Sequence, residues 1–293
     1  MASTVESDLF ESLLLEWAPG NLDNYESVTF ELTFANNSKQ TTDYEKIISQ
    51  QLNGKSSKYD FFMLDCVWTG KYGEHLIDLQ GKINSNTVKK HSTVNLNTCK
   101  YNGKLRALPL YSDFGIMLYR EDLLEKYNKT IPTTWNELEE TASYIMEMEE
   151  MYGNKELEGY AGQFKDEALI YDESHSLEKW EKGNILFLRN WPNSVRNTEE
   201  SFKTSGTSFS FGVTRLPGRD NTLSASTLGG WNIGVSKYSK YPLLSSKVIE
   251  FITGEKTQKL RAIRFGLLPT IKSLYYEEIT IYLKSKIIII KIY

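Results

Sequence analysis

The sequence predicts an α/β protein of two lobes, and three observations point there. From residue 9 to residue 64 the apolar pattern changes from helical spacing to strand spacing and back, in the order helix, strand, helix, strand, which builds a parallel sheet covered by helices. The chain has 293 residues, 40% of them hydrophobic and 25% charged, enough for two lobes with separate cores. Between Leu105 and Tyr127 an apolar strand is broken by Tyr111-Ser112-Asp113-Phe114-Gly115, resumes over residues 116–120 and runs into a helix start.

The elements follow in order. Leu9, Phe10, Leu13, Leu14 and Trp17 have helical spacing, closed by Pro19-Gly20. Val28, Phe30, Leu32 and Phe34 alternate with Thr29, Glu31 and Thr33 and predict a strand. Thr42 and Glu45 have the spacing of a capping box for a helix bearing Tyr44, Ile47, Ile48 and Leu52. The apolar run from Tyr59 to Leu64 predicts a buried strand. Thr134 and Glu137 cap a helix whose core face is Trp135, Leu138, Ala142, Ile145 and Met148. Leu244, Val248, Phe251 and Ile252 mark a helix begun near Pro242 and closed by Gly254, and Leu260 and Ile263 mark one that stops at Gly266.

Composition narrows the function. A net charge of -4 argues against a nucleic-acid partner, which needs a clustered basic surface. Cys66 and Cys99 are too few for a disulfide framework and predict free structural thiols; the three scattered histidines give no zinc spacing, so neither metal nor cofactor is expected. Eighteen Tyr and six Trp exceed what cores need, and such rings suit the C–H faces of sugars. Gly54-Lys55-Ser56 lacks the first glycine of a phosphate loop, since Ser49 stands in its place, and His175 lacks the motifs of a nucleophilic triad.

Candidate binding residues sit where ordinary packing would not put them. Tyr111 and Asp113, at i and i+2, share one face of a strand, offering a ring and an acceptor to one ligand. A carboxylate there is otherwise expensive, because burying it unpaired costs several kcal/mol. Asp65 ends a buried strand and Trp68 follows it, the position from which α/β sheets bind ligands; an Asx turn or helix N-cap is the competing role for Asp65. Trp191, between Asn190 and Pro192, reads as a stacking platform or as core. Gly229-Gly230-Trp231 lets backbone approach a ligand beside a large ring, or packs a bulge on a core Trp.

These segments, with Tyr59 to Trp68, Gly183 to Pro192, Ser224 to Ser236 and Gly266 to Ser273, resemble in sequence order the family 1 extracellular solute-binding proteins of ABC importers, closest to the trehalose/maltose branch. The resemblance covers most of residues 40 to 275. It implies a periplasmic-binding-protein-like (type II) venus-flytrap fold, with residues 1–110 and 232–266 in the first lobe and 114–225 and 267–293 in the second. It further implies non-enzymatic capture of a carbohydrate, such as trehalose or maltose, by cleft closure. Asp65, Trp68, Tyr111, Asp113, Trp191, Gly229, Gly230 and Trp231 would be the ligand residues, with no catalytic group. The partners would be an oligosaccharide and an ABC permease or membrane receptor, with the protein a monomer outside the cell.

The sequence also departs from the family. The first eight residues have neither the basic nor the apolar region of a signal peptide. Only Lys165 to Lys179 stand where a longer second-lobe segment is usual, Asn193 replaces a common aromatic, and the end, with its run Ile287 to Ile290, looks truncated. Two alternatives remain open: a glycoside hydrolase using Asp65 and Asp113, and a decayed fragment without a ligand.

Overall fold

The structure is a computed structural model that describes residues 4–32, 41–162 and 173–276. Helix α1 (Thr4–Trp17) buries Leu9, Phe10, Leu13 and Leu14, and ends in a 3-10 turn at Ala18–Gly20. Val28, Phe30 and Leu32 then alternate, half-buried, with exposed Thr29 and Glu31, yet this stretch pairs with no strand among the described residues. The expected strand is thus a segment whose Phe30 and Leu32 pack on the core with no ladder among the described residues; Phe34 lies outside them. Helix α2 (Thr41–Asn53) buries Ile48 and Leu52. The Glu45 carboxylate accepts from Lys71 Nζ at 2.7 Å and Tyr72 OH at 3.2 Å; the side chain of Thr42, its expected partner in a capping box, lies outside what is described.

Strand β1 (Phe61–Asp65) leads to α3 (Trp68–Tyr72), α4 (Ser85–Lys90) and α5 (Thr93–Thr98). The side chains of Asn84 and Ser92 cap the last two, accepting from the N–H groups of Asn86 and Asn95. Strands β2 (Lys100–Tyr101) and β3 (Lys104–Leu105) form a hairpin on Asn102-Gly103, both at positive φ as a two-residue turn requires. Strand β4 (Leu108–Phe114) follows.

Next come β5 (Ile116–Arg120), α6 (Glu121–Lys126), α7 (Trp135–Met151), β6 (Glu158–Ala161), α8 (Glu173–Glu181), β7 (Ile185–Asn190), α9 (Asn193–Ser205) and β8 (Phe211–Thr214). The capping box of Thr134 and Glu137 is present at the start of α7. The sheet order is β6-β7-β5-β8; β5 runs antiparallel to β7 and β8, and β6 parallel to β7. Met117, Tyr119, Phe187, Leu138, Ala142 and Ile145 pack into one core between this sheet and α7.

At the end of α7, buried Glu149 accepts from Lys126 Nζ (2.6 Å), Tyr127 OH (2.7 Å) and Asn154 Nδ2 (2.8 Å). Burial pushes its carboxyl up, but these donors outweigh it and hold the group down at about 2. A depressed carboxyl contributes stability above its unfolded value of 4.5 that is lost as pH falls toward 2. Glu149→Gln is expected to lower the urea stability of this part of the chain at pH 7 by about 1 to 2 kcal/mol, because solvent around Lys126 screens part of the charge. It is also expected to flatten the acid limb between pH 4.5 and 2.

Strand β9 (Leu228–Val235), α10 (Pro242–Ile252), α11 (Glu255–Phe265) and a 3-10 turn at Lys272–Tyr276 complete the described chain. The sheet order is β1-β9-β4, and β9 runs antiparallel to β1, with Asp65 opposite Trp231. The all-parallel sheet expected from the alternation of helix and strand is therefore replaced by two sheets containing antiparallel pairs: β1 meets a strand that returns from far along the chain, not its neighbour in sequence.

Two units result. One holds the described residues up to Ser112 and those from Gly230 onward, the other Asp113 to Gly229. Residues 267–276, assigned above to the second lobe, lie in the first unit. Ser112 bridges Leu268, and Thr270 is bound to Gln258 of α11 through its N–H at 2.7 Å and to His91 Nδ1 through Oγ1 at 2.7 Å. These buried polar bonds would be left unmade if the segment packed elsewhere. The short second-lobe segment and the tail fall largely in 163–172 and 277–293, outside the described residues.

Candidate functional site

In the first unit the end of β1 gathers four of the eight expected residues. Asp65 closes the strand, and its Oδ1 accepts the Val67 N–H at 3.1 Å, so it forms an Asx turn into α3. Trp68, the first residue of α3, meets Trp231 of β9 edge to face, with ring centroids 5.6 Å apart at 81°. Tyr44 of α2 completes the group, 6.1 Å from Trp68 and 5.8 Å from Trp231, and its hydroxyl donates to Met63 O at 3.0 Å. Burial drives the Tyr44 phenol well above its usual range, so it stays a neutral donor. Sequence reasoning placed Tyr44 only on a helix face; nothing in its spacing marks it as a partner of two tryptophans.

Gly230 accepts the Cys66 N–H at 3.0 Å and has φ 109°, a conformation that favours glycine. Burial, and then the Asp65 carboxylate beside it, push the Cys66 thiol up to about 12. Cys66 and Cys99 are both buried thiols, outside any disulfide. Tyr111 on β4 is 8% exposed. The guanidinium of Arg261 lies 5.1 Å from its ring and 5.0 Å from that of Phe10, and Arg261 Nη1 donates to Leu110 O at 2.9 Å. A buried arginine was not foreseen on α11, where Ile263, one of the two residues that marked the helix, is 48% exposed.

The second unit gathers Asp113, Trp191 and Gly229. Trp191 follows β7, half-buried, with its N–H donating to Asn190 Oδ1 at 2.7 Å. A Cβ on Gly229 would stand 3.0 and 3.1 Å from the benzo edge of Trp191 and 3.4 Å from Asp113 Cβ, so only glycine leaves this spacing relaxed. Gly115 donates its N–H to Ser226 Oγ at 2.6 Å. Thus Asp65, Trp68, Gly230 and Trp231 are brought together in one unit, with Tyr111 in the same core cluster; Asp113, Trp191 and Gly229 meet in the other. In each, an aspartate stands beside an indole. Among the described residues, no group of three or more His, Cys, Asp or Glu could hold a metal ion.

No protein-family model matches the chain. It is 31% identical over 285 residues to a protein of Deinococcus radiodurans described as a probable ABC transporter-binding protein, covering 79% of this chain and 67% of that one. Among solved structures, maltose-bound MalE3 of T. maritima aligns with a TM-score of 0.75 and 23% identity over 96% of this chain and 81% of its own. The GacH receptor of Streptomyces glaucescens, solved unliganded and with acarbose, aligns with a TM-score of 0.74 and 18% identity over 96% and 81%. These likenesses show the α/β, two-lobed periplasmic-binding-protein fold.

Proposed function

Since the chain belongs to the family 1 solute-binding proteins of ABC importers, we propose that it binds a disaccharide such as maltose or trehalose, without turnover, and delivers it to an ABC permease outside the cytoplasmic membrane. The observation that carries this reading is the aspartate beside an indole in each unit, Asp65 with Trp68 and Trp231, and Asp113 with Trp191. Rings supply apolar contact to sugar C–H faces, while carboxylates accept from hydroxyls and reject analogues that lack them. The maltose and acarbose named with the two aligned structures support a carbohydrate as the ligand class.

The test is calorimetric titration with maltose, trehalose and longer maltodextrins, with released glucose assayed in the same samples. Saturable binding without glucose release supports the reading; glucose release would replace it by a hydrolase, and no heat with any of these sugars would reject it. Trp231→Ala is expected to weaken binding by about 1 to 3 kcal/mol, and unchanged affinity in a folded variant removes Trp231 from the site. Asp113→Ala is expected to cost about 1.5 to 3 kcal/mol of affinity. For Asp65 the informative change is Asp65→Asn, which keeps an Oδ1 acceptor for the Val67 N–H while removing the charge. Its expected loss is also about 1.5 to 3 kcal/mol of affinity with little change in melting temperature.

A further inference from the structure

Every residue of β7 is buried, yet one of them is an arginine, an expensive choice for the interior of a strand unless its charge has a use. Arg189 stands opposite Met117 in the ladder, and its guanidinium carbon lies 4.1 Å from the centroid of the Trp191 ring two residues on, within stacking distance. The space it occupies depends on a glycine. A Cβ on Gly115 would stand 2.8 Å from Arg189 Nε, 3.0 Å from Nη2 and 2.9 Å from Ser226 Oγ. The benzo edge of the same indole is bounded by Gly229, where a Cβ would stand at 3.0 Å. Gly115 lies just after the first passage of the chain from one unit to the other, and Gly229 just before the second.

We propose that Arg189 is the positioning residue of Trp191: its planar guanidinium, admitted by Gly115, fixes the indole beside Asp113, and Gly229 keeps the benzo edge clear. The role rests on the reading of Trp191 and Asp113 as ligand groups, and Arg189 acts through the ring. A lysine would keep the charge but lose the plane, so it should restore only part of the effect. Methionine keeps an apolar stem and loses both.

The test has one readout without sugar and one with it. Without sugar, the near-ultraviolet circular dichroism of Trp191 is obtained as wild type minus Trp191→Phe. Arg189→Met should reduce that signal markedly, and Arg189→Lys should recover part of it. With maltose or trehalose, Arg189→Met should weaken binding about tenfold in the wild-type background but less than about twofold when Trp191 is already Phe, because residues acting as a unit are not additive. An unchanged Trp191 signal, or equal losses in both backgrounds, would overturn the proposal. If Arg189→Met does not fold, Gly229→Ala tests the ring from its other boundary without touching β7: its Cβ should displace the ring, altering the same signal and weakening binding, and no change in either would count against the proposal. If wild type binds neither sugar nor any maltodextrin, the carbohydrate reading fails, while the sugar-free signal still decides whether Arg189 sets the ring.

Discussion

Trp180→Ala is expected to destabilise the second unit by about 3 to 5 kcal/mol, the range for removing a large aromatic side chain from a packed interior. Trp180 on α8 is fully buried and meets Phe209 and Phe211 edge to face, with centroids 5.2 and 5.9 Å away; Phe202 of α9 completes the cluster against the same two rings. Its Nε1 donates to Thr198 Oγ1 at 3.0 Å, so the indole ties α8 to α9 as well as filling the space under β8. Trp180→Phe keeps most of the ring contact and removes the donor. It should cost only about 1 kcal/mol beyond the lost volume, because Thr198 still donates to Ser194 O at 2.8 Å. Urea unfolding of the three proteins measures the ladder. A Trp180→Ala loss under about 1 kcal/mol would mean that the phenylalanines close over the gap.

Lowering the pH from 6.5 to 4 is expected to remove about 3 kcal/mol from the stability of the first unit through one residue. His91 is buried, with Nδ1 on Thr270 Oγ1 at 2.7 Å and no partner for Nε2 among the described residues, and burial lowers its pKa from 6.5 to about 4. Between those values the unfolded chain holds a proton that the folded chain refuses, so stability rises with pH across the window and is complete above 6.5. At about 1.4 kcal/mol per unit of pH, the window accounts for the 3 kcal/mol. Glu149 acts in the same direction but between 4.5 and 2, so the two are separable by pH. In His91→Gln, which can still reach Thr270 without taking a proton, the slope between pH 6.5 and 4 should flatten. A parallel curve would assign the acid sensitivity to other groups. Three tryptophans fall in each unit, Trp17, Trp68 and Trp231 in one and Trp135, Trp180 and Trp191 in the other, so single-Trp reporters can follow each unit's transition.

What the sequence disclosed was local. The capping box of Thr134 and Glu137 and the Gly266 stop, at φ 67°, are settled by a few adjacent residues and appear as expected. What it concealed was partnership across long separations. Residues 28–32 have the alternation of a strand but no ladder partner among the described residues, and alternation alone does not supply one. Glu149 and Arg261 look like solvent-facing charges, yet each is buried against a group far off in sequence: Lys126 and Tyr127 for the first, the carbonyl of Leu110 for the second. Residues 267–276 joined the first unit for the same reason, through Gln258 and His91. Of the candidate ligand residues, the backbone positions of Asp65 and Trp231 at facing places on β1 and β9 followed from strand ends. The aromatic group they form with Tyr44 depended on helix α2 folding over them.

The first unit is written in two instalments. Its strand β1 emerges from synthesis early, but the strand that pairs with it, β9, comes only after the whole stretch from Asp113 to Gly229. Phe61 therefore waits for Val235, and until then β1 lacks the ladder partner it has in the finished sheet. The described residues of the second unit all lie between those two strands, so on a growing chain they are made before β1 and β9 can pair. Once that unit has folded, it shortens the span that separates the two halves of the first unit, cutting the entropy of bringing β9 back to β1. The inserted unit is then a folding aid for its host, and damage to its core, as in Trp180→Ala, should slow completion of a sheet to which it contributes no part of the β1–β9 ladder.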